Sequence, residues 1–270
     1  MEGGTMKQMK GQIALVVLVV SSIVLTLGLS LSRKAVVETK IDTDEELLKT
    51  AFNTAESGID YYLATGQTNY QTSDLLSQAT VTAENIGLTS VLVSDGMTLQ
   101  NENSYFWMVG HNEADGKLDY GSVYGGASVK ICADNTYNGL VYVVYFYRQG
   151  AEYKTRRAGY SLGGALPGDT KGFVTPGGGV SGCSDSSKEG FTFNLGGTPL
   201  LLVVSPMTGG TNLRIEGSAI FPIQGKDISS VGQAGDVSAQ AVKRKISVKK
   251  IYEVPAFMLE GITADGVVNN

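Results

Sequence analysis

Residues 11–63 read GQIALVVLVVSSIVLTLGLSLSRKAVVETKIDTDEELLKTAFNTAESGIDYYL, and two patterns follow one another in this stretch without a break. From Gln12 to Leu31 there are twenty residues and no charge. As a helix rising ~1.5 Å per residue, that run spans roughly 30 Å, the thickness of a bilayer's hydrocarbon core. A cleaved secretory signal carries a shorter apolar region and a small-x-small cleavage site. Here the run is too long, and Leu29-Ser30-Leu31-Ser32-Arg33 makes a poor site. The expectation is a transmembrane helix over 12–31.

Lys7 and Lys10 precede the span while Arg33, Lys34 and Lys40 follow it, so charge alone does not orient it. The short leader and the long polar remainder favour a cytoplasmic N-terminus. Ser22, Thr26 and Ser30 recur every four residues on one face. That stripe is read either as a helix–helix contact or as the ordinary small-residue content of membrane helices.

Beyond Arg33 the pattern becomes amphipathic. Val37, Ile41, Leu48, Phe52, Ala55, Ile59 and Leu63 recur near the helical period or its multiple, with Asp42, Asp44, Glu45 and Glu46 mostly off the stripe. No proline precedes Pro167, and Gly28 and Gly58 are the only glycines between 12 and 64. One helix of roughly 80 Å is therefore predicted over 12–64. Its second part, 32–64, would lay that apolar stripe on a folded domain, and the acidic run at 42–46 would face solvent.

The remainder is rich in β-prone runs. Short strands are expected at Val91–Val93, Tyr105–Val109 and Ala127–Cys132, with a hairpin from Leu140–Arg148 through QGAE to Tyr153–Leu162. Strand signals resume at Phe191–Leu195, Leu200–Val204, Leu213–Phe221 and Ile228–Ser230, then at Val242–Val248 and Ile251–Val254. A short helix is expected near 73–79. The organisation reads as a first β-rich part at 65–162, a Gly-rich connection at 163–190, a second β-rich part at 191–258 and a tail at 259–270. The fold class is α+β, a long helix packed on antiparallel sheet.

The order apolar run, amphipathic helix, then Ala51, Phe52, Ala55, Glu56, Ser57 and Gly58, with Gly11 just before the run, resembles the class III signal and helix of type IV pilins and pseudopilins. Among these it is most similar to PilX-like minor pilins. Residues 228–251, ISSVGQAGDVSAQAVKRKISVKKI, are similar to the strand, turn and strand that close many such subunits. The resemblance covers 7–64 well and 199–258 loosely. It implies a leader, residues 1–11, cut by a prepilin peptidase between Gly11 and Gln12. Val16 stands where filament-building pilins carry a glutamate, which points to a minor, tip-located subunit.

Chemistry is sparse. Charged residues are 17 % of the chain, net charge is −5, and no basic face suggests nucleic acid. The one histidine, His111, lies in a polar loop without GxSxG elsewhere. Asn112, Glu113, Asp115, Gly116 and Asp119, and the loop at 134–139, lack the spacing of a calcium hand. Gly177–Gly182 lacks the GK[ST] ending of a phosphate loop. No metal, cofactor or enzymatic activity is expected. Cys132 and Cys183 would bridge in an oxidising compartment, or stay as two structural thiols.

The leading expectation is a structural minor pilin, in the inner membrane before assembly and then at the cell surface or pilus. Its partners would be other pilin subunits, the prepilin peptidase and membrane lipid. The alternatives are a single-span envelope-anchored binding protein and, less favoured by the residue inventory, an anchored hydrolase.

Overall fold

The structure, a computed structural model, describes residues 9–72, 76–113, 115–162, 172–235, 241–255 and 258. The chain divides into two compact units, Met1–Thr82 with Ser229–Ser247, and Ala83–Ile228 with Val248–Asn270.

In the first unit α1 (Met9–Thr65) is one unbroken helix, as the proline-free pattern predicts. It ends where Gly66 takes a left-handed φ of 74° and donates its N–H to the Tyr62 carbonyl at 2.7 Å, the glycine cap that stops helices. Thr65 closes the same turn by donating its hydroxyl to the Tyr61 carbonyl. The chain then enters β1 (Asn69–Gln71) and β2 (Ser77–Ile86), an antiparallel pair. The short helix expected near 73–79 is overturned for 77–79, which open β2, and residues 73–75 lie outside the described residues. Its inward positions Ser77, Ala79 and Val81 alternate with exposed ones, so the period is 2. Two strands join from far along the chain, β15 (Gly225–Ala234) and β16 (Val242–Ile251), giving the order β1-β2-β15-β16. The two separate strand signals expected after residue 241 are thus a single strand through Ile251.

The second unit is a sandwich. One sheet has the order β10 (Phe173–Val174), β9 (Glu152–Ser161), β8 (Leu140–Gln149), β13 (Thr198–Pro206), β4 (Ser104–Trp107). The other runs β11 (Ser181–Gly182), β12 (Lys188–Asn194), β7 (Ser128–Asp134), β14 (Arg214–Gly217), β3 (Val91–Val93). A two-stranded ribbon pairs β5 (Val109–His111) with β6 (Leu118–Val123). In these sheets and the ribbon the strands pair antiparallel, except β10 with β9.

Tyr145, Val143, Leu202, Val204 and Phe106 of the first sheet meet Ile131, Val129, Phe191, Phe193 and Ile215 of the second in one buried core. The alternate residues of the first sheet, Val144, Phe146, Leu201 and Val203, bury their own layer with Trp107, Val109 and Met258 on the opposite face. A sheet covered on both faces needs strands apolar at every position, which is why β8 and β13 read LVYVVYFY and PLLLVV without alternation. The hairpin between β8 and β9 is tighter than expected. Gln149 pairs with Glu152, leaving a two-residue loop in which Gly150 has φ 65°.

Strands from both sides of the Gly-rich connection share both sheets, since β13 lies between β8 and β4 and β14 between β7 and β3. The connection therefore does not separate two sheets. Residues 163–171 of it, like the tail at 259–270, fall outside the described residues.

Candidate functional site

The candidate site is α1, which changes character along its length. Between Leu15 and Leu31 every residue is exposed, and the apolar window shows no burial at all. Val16 is 58 % exposed, so a side chain without charge stands on a fully open helix surface. Such a surface is stable against lipid or against other apolar helices, and costly against water. The hydroxyls of Ser22 and Thr26 donate to the carbonyls of Val19 and Ile23 on their own helix, each at 2.8 Å. The two polar groups are thereby satisfied within the helix, and the stripe with exposed Ser30 presents a low-polarity ridge. Gly11 and Gln12 are helical in backbone, one turn before the described side chains begin.

The seated end is built differently. Ala51, Thr54, Ala55, Gly58 and Ile59 form the buried arc. A Cβ added at Gly58 would fall 2.7 Å from the Cβ of Ala79 and 2.8 Å from the Ser230 hydroxyl. A Cβ at Gly232 of β15 would drive into the Ala51 carbonyl oxygen and the Ala55 backbone nitrogen. Helix backbone and strand backbone are thus in near contact, which only small residues on both sides allow. The Thr54 hydroxyl is turned back onto the Thr50 carbonyl at 2.7 Å, whereas the buried Ser230 hydroxyl beside Gly58 has no hydrogen-bond partner among the described residues.

This corrects the expected packing stripe. Ala55 and Ile59 are buried and Leu48 is half-buried, but Val37, Ile41, Phe52 and Leu63 are 56 %, 50 %, 49 % and 46 % exposed. The reason is geometric. The helix sits on glycine and alanine, so the large apolar residues lie beside the contact or above it. Ala51, Thr54 and Gly58 were the missed members, and their signal was smallness at steps of three and four rather than hydrophobicity. The acids Asp42, Asp44, Glu45 and Glu46 are all exposed.

In the second unit Cys132 and Cys183 are bonded to each other across a separation of 51 residues. Glu216 approaches the same sulfurs, but disulfide sulfurs offer no thiolate to a metal, so the three are not a ligand set. Glu216 accepts instead from the Ser184 amide at 2.9 Å and from the Ser184 hydroxyl, and from Arg214 Nε at 2.9 Å. Burial works to raise its carboxyl, and these hydrogen bonds outweigh it, leaving a net lowering.

Asp134, from the loop weighed for calcium, is likewise committed within the fold. It takes Lys188 Nζ at 2.6 Å, and the Asn212 amide and side chain at 2.9 Å each. Burial raises its carboxyl, but the donors from Asn212 and Lys188 hold it at about 2.

His111 is stacked on Tyr252 at 4.0 Å and edge-on to Trp107 at 4.4 Å, with Nδ1 buried and unpaired among the described residues. Burial lowers its imidazole to about 4. A neutral ring packed between aromatics is a structural part, with no nucleophile among the ring contacts described for it.

No protein-family model, curated protein or solved structure matches this chain.

Proposed function

We propose that this chain is a PilX-like minor pilin-type subunit. It is anchored by α1 in the inner membrane and incorporated through that helix at or near the tip of a filament, with its β-rich body displayed outside. One observation supports the reading most. The two stretches that carry the pilin resemblance, AFNTAESG at 51–58 and SSVGQAG at 229–235, are the two that touch, through Ala51, Ala55 and Gly58 on the helix and Ser230 and Gly232 on the strand. The motif then has a physical meaning. It is the seat that fixes a long helix to its sheet, leaving the exposed, uncharged stretch Leu15–Leu31 for lipid and neighbouring subunits. The missing carboxylate at Val16 fits a subunit added once rather than repeated along a filament.

The test is the mature N-terminus. Co-expressed with a prepilin peptidase and extracted from membranes, the chain should give an intact mass beginning at Gln12. A mutated cleavage site, Gly11→Val, should leave the leader in place. If the wild-type chain keeps its leader under conditions where a control prepilin is cut, the assembly reading fails and a simple envelope anchor for the β-rich body takes its place.

A further inference from the structure

The sandwich of the second unit is open along one side, where the edge strand of each sheet borders a common cleft of about 520 Å³. Val93 of β3 and Tyr105 of β4 both line it, and the core side chains Leu92 and Phe106 form its apolar floor. Pockets of this size accept ligands of several hundred Å³. What they accept is set by the polar groups on the walls.

Strand register fixes where those groups point. On β4, Met108 donates to the Leu200 carbonyl, and Trp107 lies opposite Leu201. In an antiparallel ladder paired residues alternate between bonded and non-bonded, so Trp107 and Tyr105 turn their N–H and C=O away from β13, to the open side. On β3, Ser94 donates to the Leu213 carbonyl and Val93 lies opposite Arg214, so Val93 and Val91 likewise turn theirs away from β14.

The fold caps half of these groups. The Gln224 side-chain amide accepts from Trp107 N–H at 2.7 Å and donates to the Trp107 carbonyl at 2.8 Å, as a neighbouring strand would. Thr89 serves Val91 in the same way, its hydroxyl at 2.5 Å from the carbonyl oxygen. The outward amides of Val93 and Tyr105 have no such partner among the described residues. At the rim, Glu102 accepts the Leu99 amide and has no ion pair among the described residues.

We infer that this cleft takes an extended peptide segment of a partner protein, added as a strand. Unsatisfied N–H and C=O groups on an edge are complementary to peptide backbone above other ligands. The floor asks for β-branched apolar side chains at alternate positions, and Glu102 asks for a basic residue at one end. The inference does not depend on the assembly reading, since an anchored binding protein would use the same cleft.

The probe is a fluorescein-labelled hexapeptide, Lys-Val-Thr-Val-Thr-Val, titrated by anisotropy against the full chain in lipid nanodiscs. Binding with Kd on the order of 100 µM is expected. Proline at an outward-facing edge position removes the free donor, along with the native side chain, and leaves the ladder hydrogen bonds intact. Val93→Pro or Tyr105→Pro, each checked by near-UV circular dichroism and melting, should therefore weaken binding about tenfold. Alternate N-methylation of the peptide backbone should do the same without touching the protein. This keeps the test decisive if a proline variant misfolds. Absence of binding at millimolar peptide, or binding indifferent to N-methylation, overturns the inference.

Discussion

At the scale of single residues, His111 reports on acid stability. Its imidazole is held at about 4 because burial between Tyr252 and Trp107 disfavours the charged ring, whereas an unfolded histidine titrates near 6.5. Between those values the unfolded state binds the extra proton, so stability rises with pH there and is lost as pH falls from about 6.5 toward about 4. Allowing for partial exposure, the loss by pH 4.5 is about 2 kcal/mol. Phe keeps the ring stack and cannot titrate. Urea unfolding followed by the fluorescence of Trp107, the single tryptophan, should give His111→Phe a smaller drop between pH 7 and 4.5 than wild type, by that amount. Equal drops would show that the ring protonates freely in the folded state. Asp134 acts lower. Its carboxyl is held near 2, below the ordinary carboxylate value, so what it contributes is lost only as pH falls from about 4 through about 2. The two effects therefore occupy different pH windows.

At the scale of elements, the seat of α1 on β15 carries the next prediction. Gly232→Ala places a methyl against helix backbone at Ala51 and Ala55, and backbone cannot swing aside as a side-chain end can. A cost of about 1–3 kcal/mol is expected, concentrated in the first unit. Hydrogen exchange should quicken at residues 47–62 while β8 and β13 keep their protection. Unchanged exchange at 47–62 would mean that the helix is not seated there. The same contact explains what was legible in the sequence and what was not. The helix was readable end to end because nothing between Gln12 and Ala64 breaks it, and β8 was readable because its apolar run is bounded by turn residues. The face by which the helix packs was misread. Large apolar side chains carry the visible period, while close backbone approach is made by Ala51, Ala55 and Gly58, which carry little hydrophobic signal. Strand β2 was missed for the matching reason. Its inward Ala79 is small where it meets Gly58 of that helix, and inward Ser77 is small and polar, so its alternation is faint. The partners of β13 and β14 were illegible because such pairings are set by packing across distant sequence, not by local pattern.

At the scale of the whole molecule, the disulfide bears on topology, which charge leaves undecided. Lysines and arginine flank the apolar run on both sides, yet a bond between Cys132 and Cys183 persists only where the surroundings are oxidising. With α1 as the single span proposed above, bonded cysteines would put the β-rich body on the side of the membrane away from the cytoplasm. Closing a 51-residue separation is worth about 4 kcal/mol on the chain-entropy model, and here it ties β7 to the segment between β11 and β12. Two measurements follow from one bond. Peptide mapping of membranes alkylated before lysis should recover a 132–183 linked peptide that reduction separates. The Cys132→Ser, Cys183→Ser double variant should unfold at lower urea by the equivalent of about 4 kcal/mol, with α1 still membrane-bound. Two alkylated thiols in the wild-type chain would instead place the body in the cytoplasm. That outcome would remove both the bond and the display of this domain outside the cell, whatever the fate of the leader.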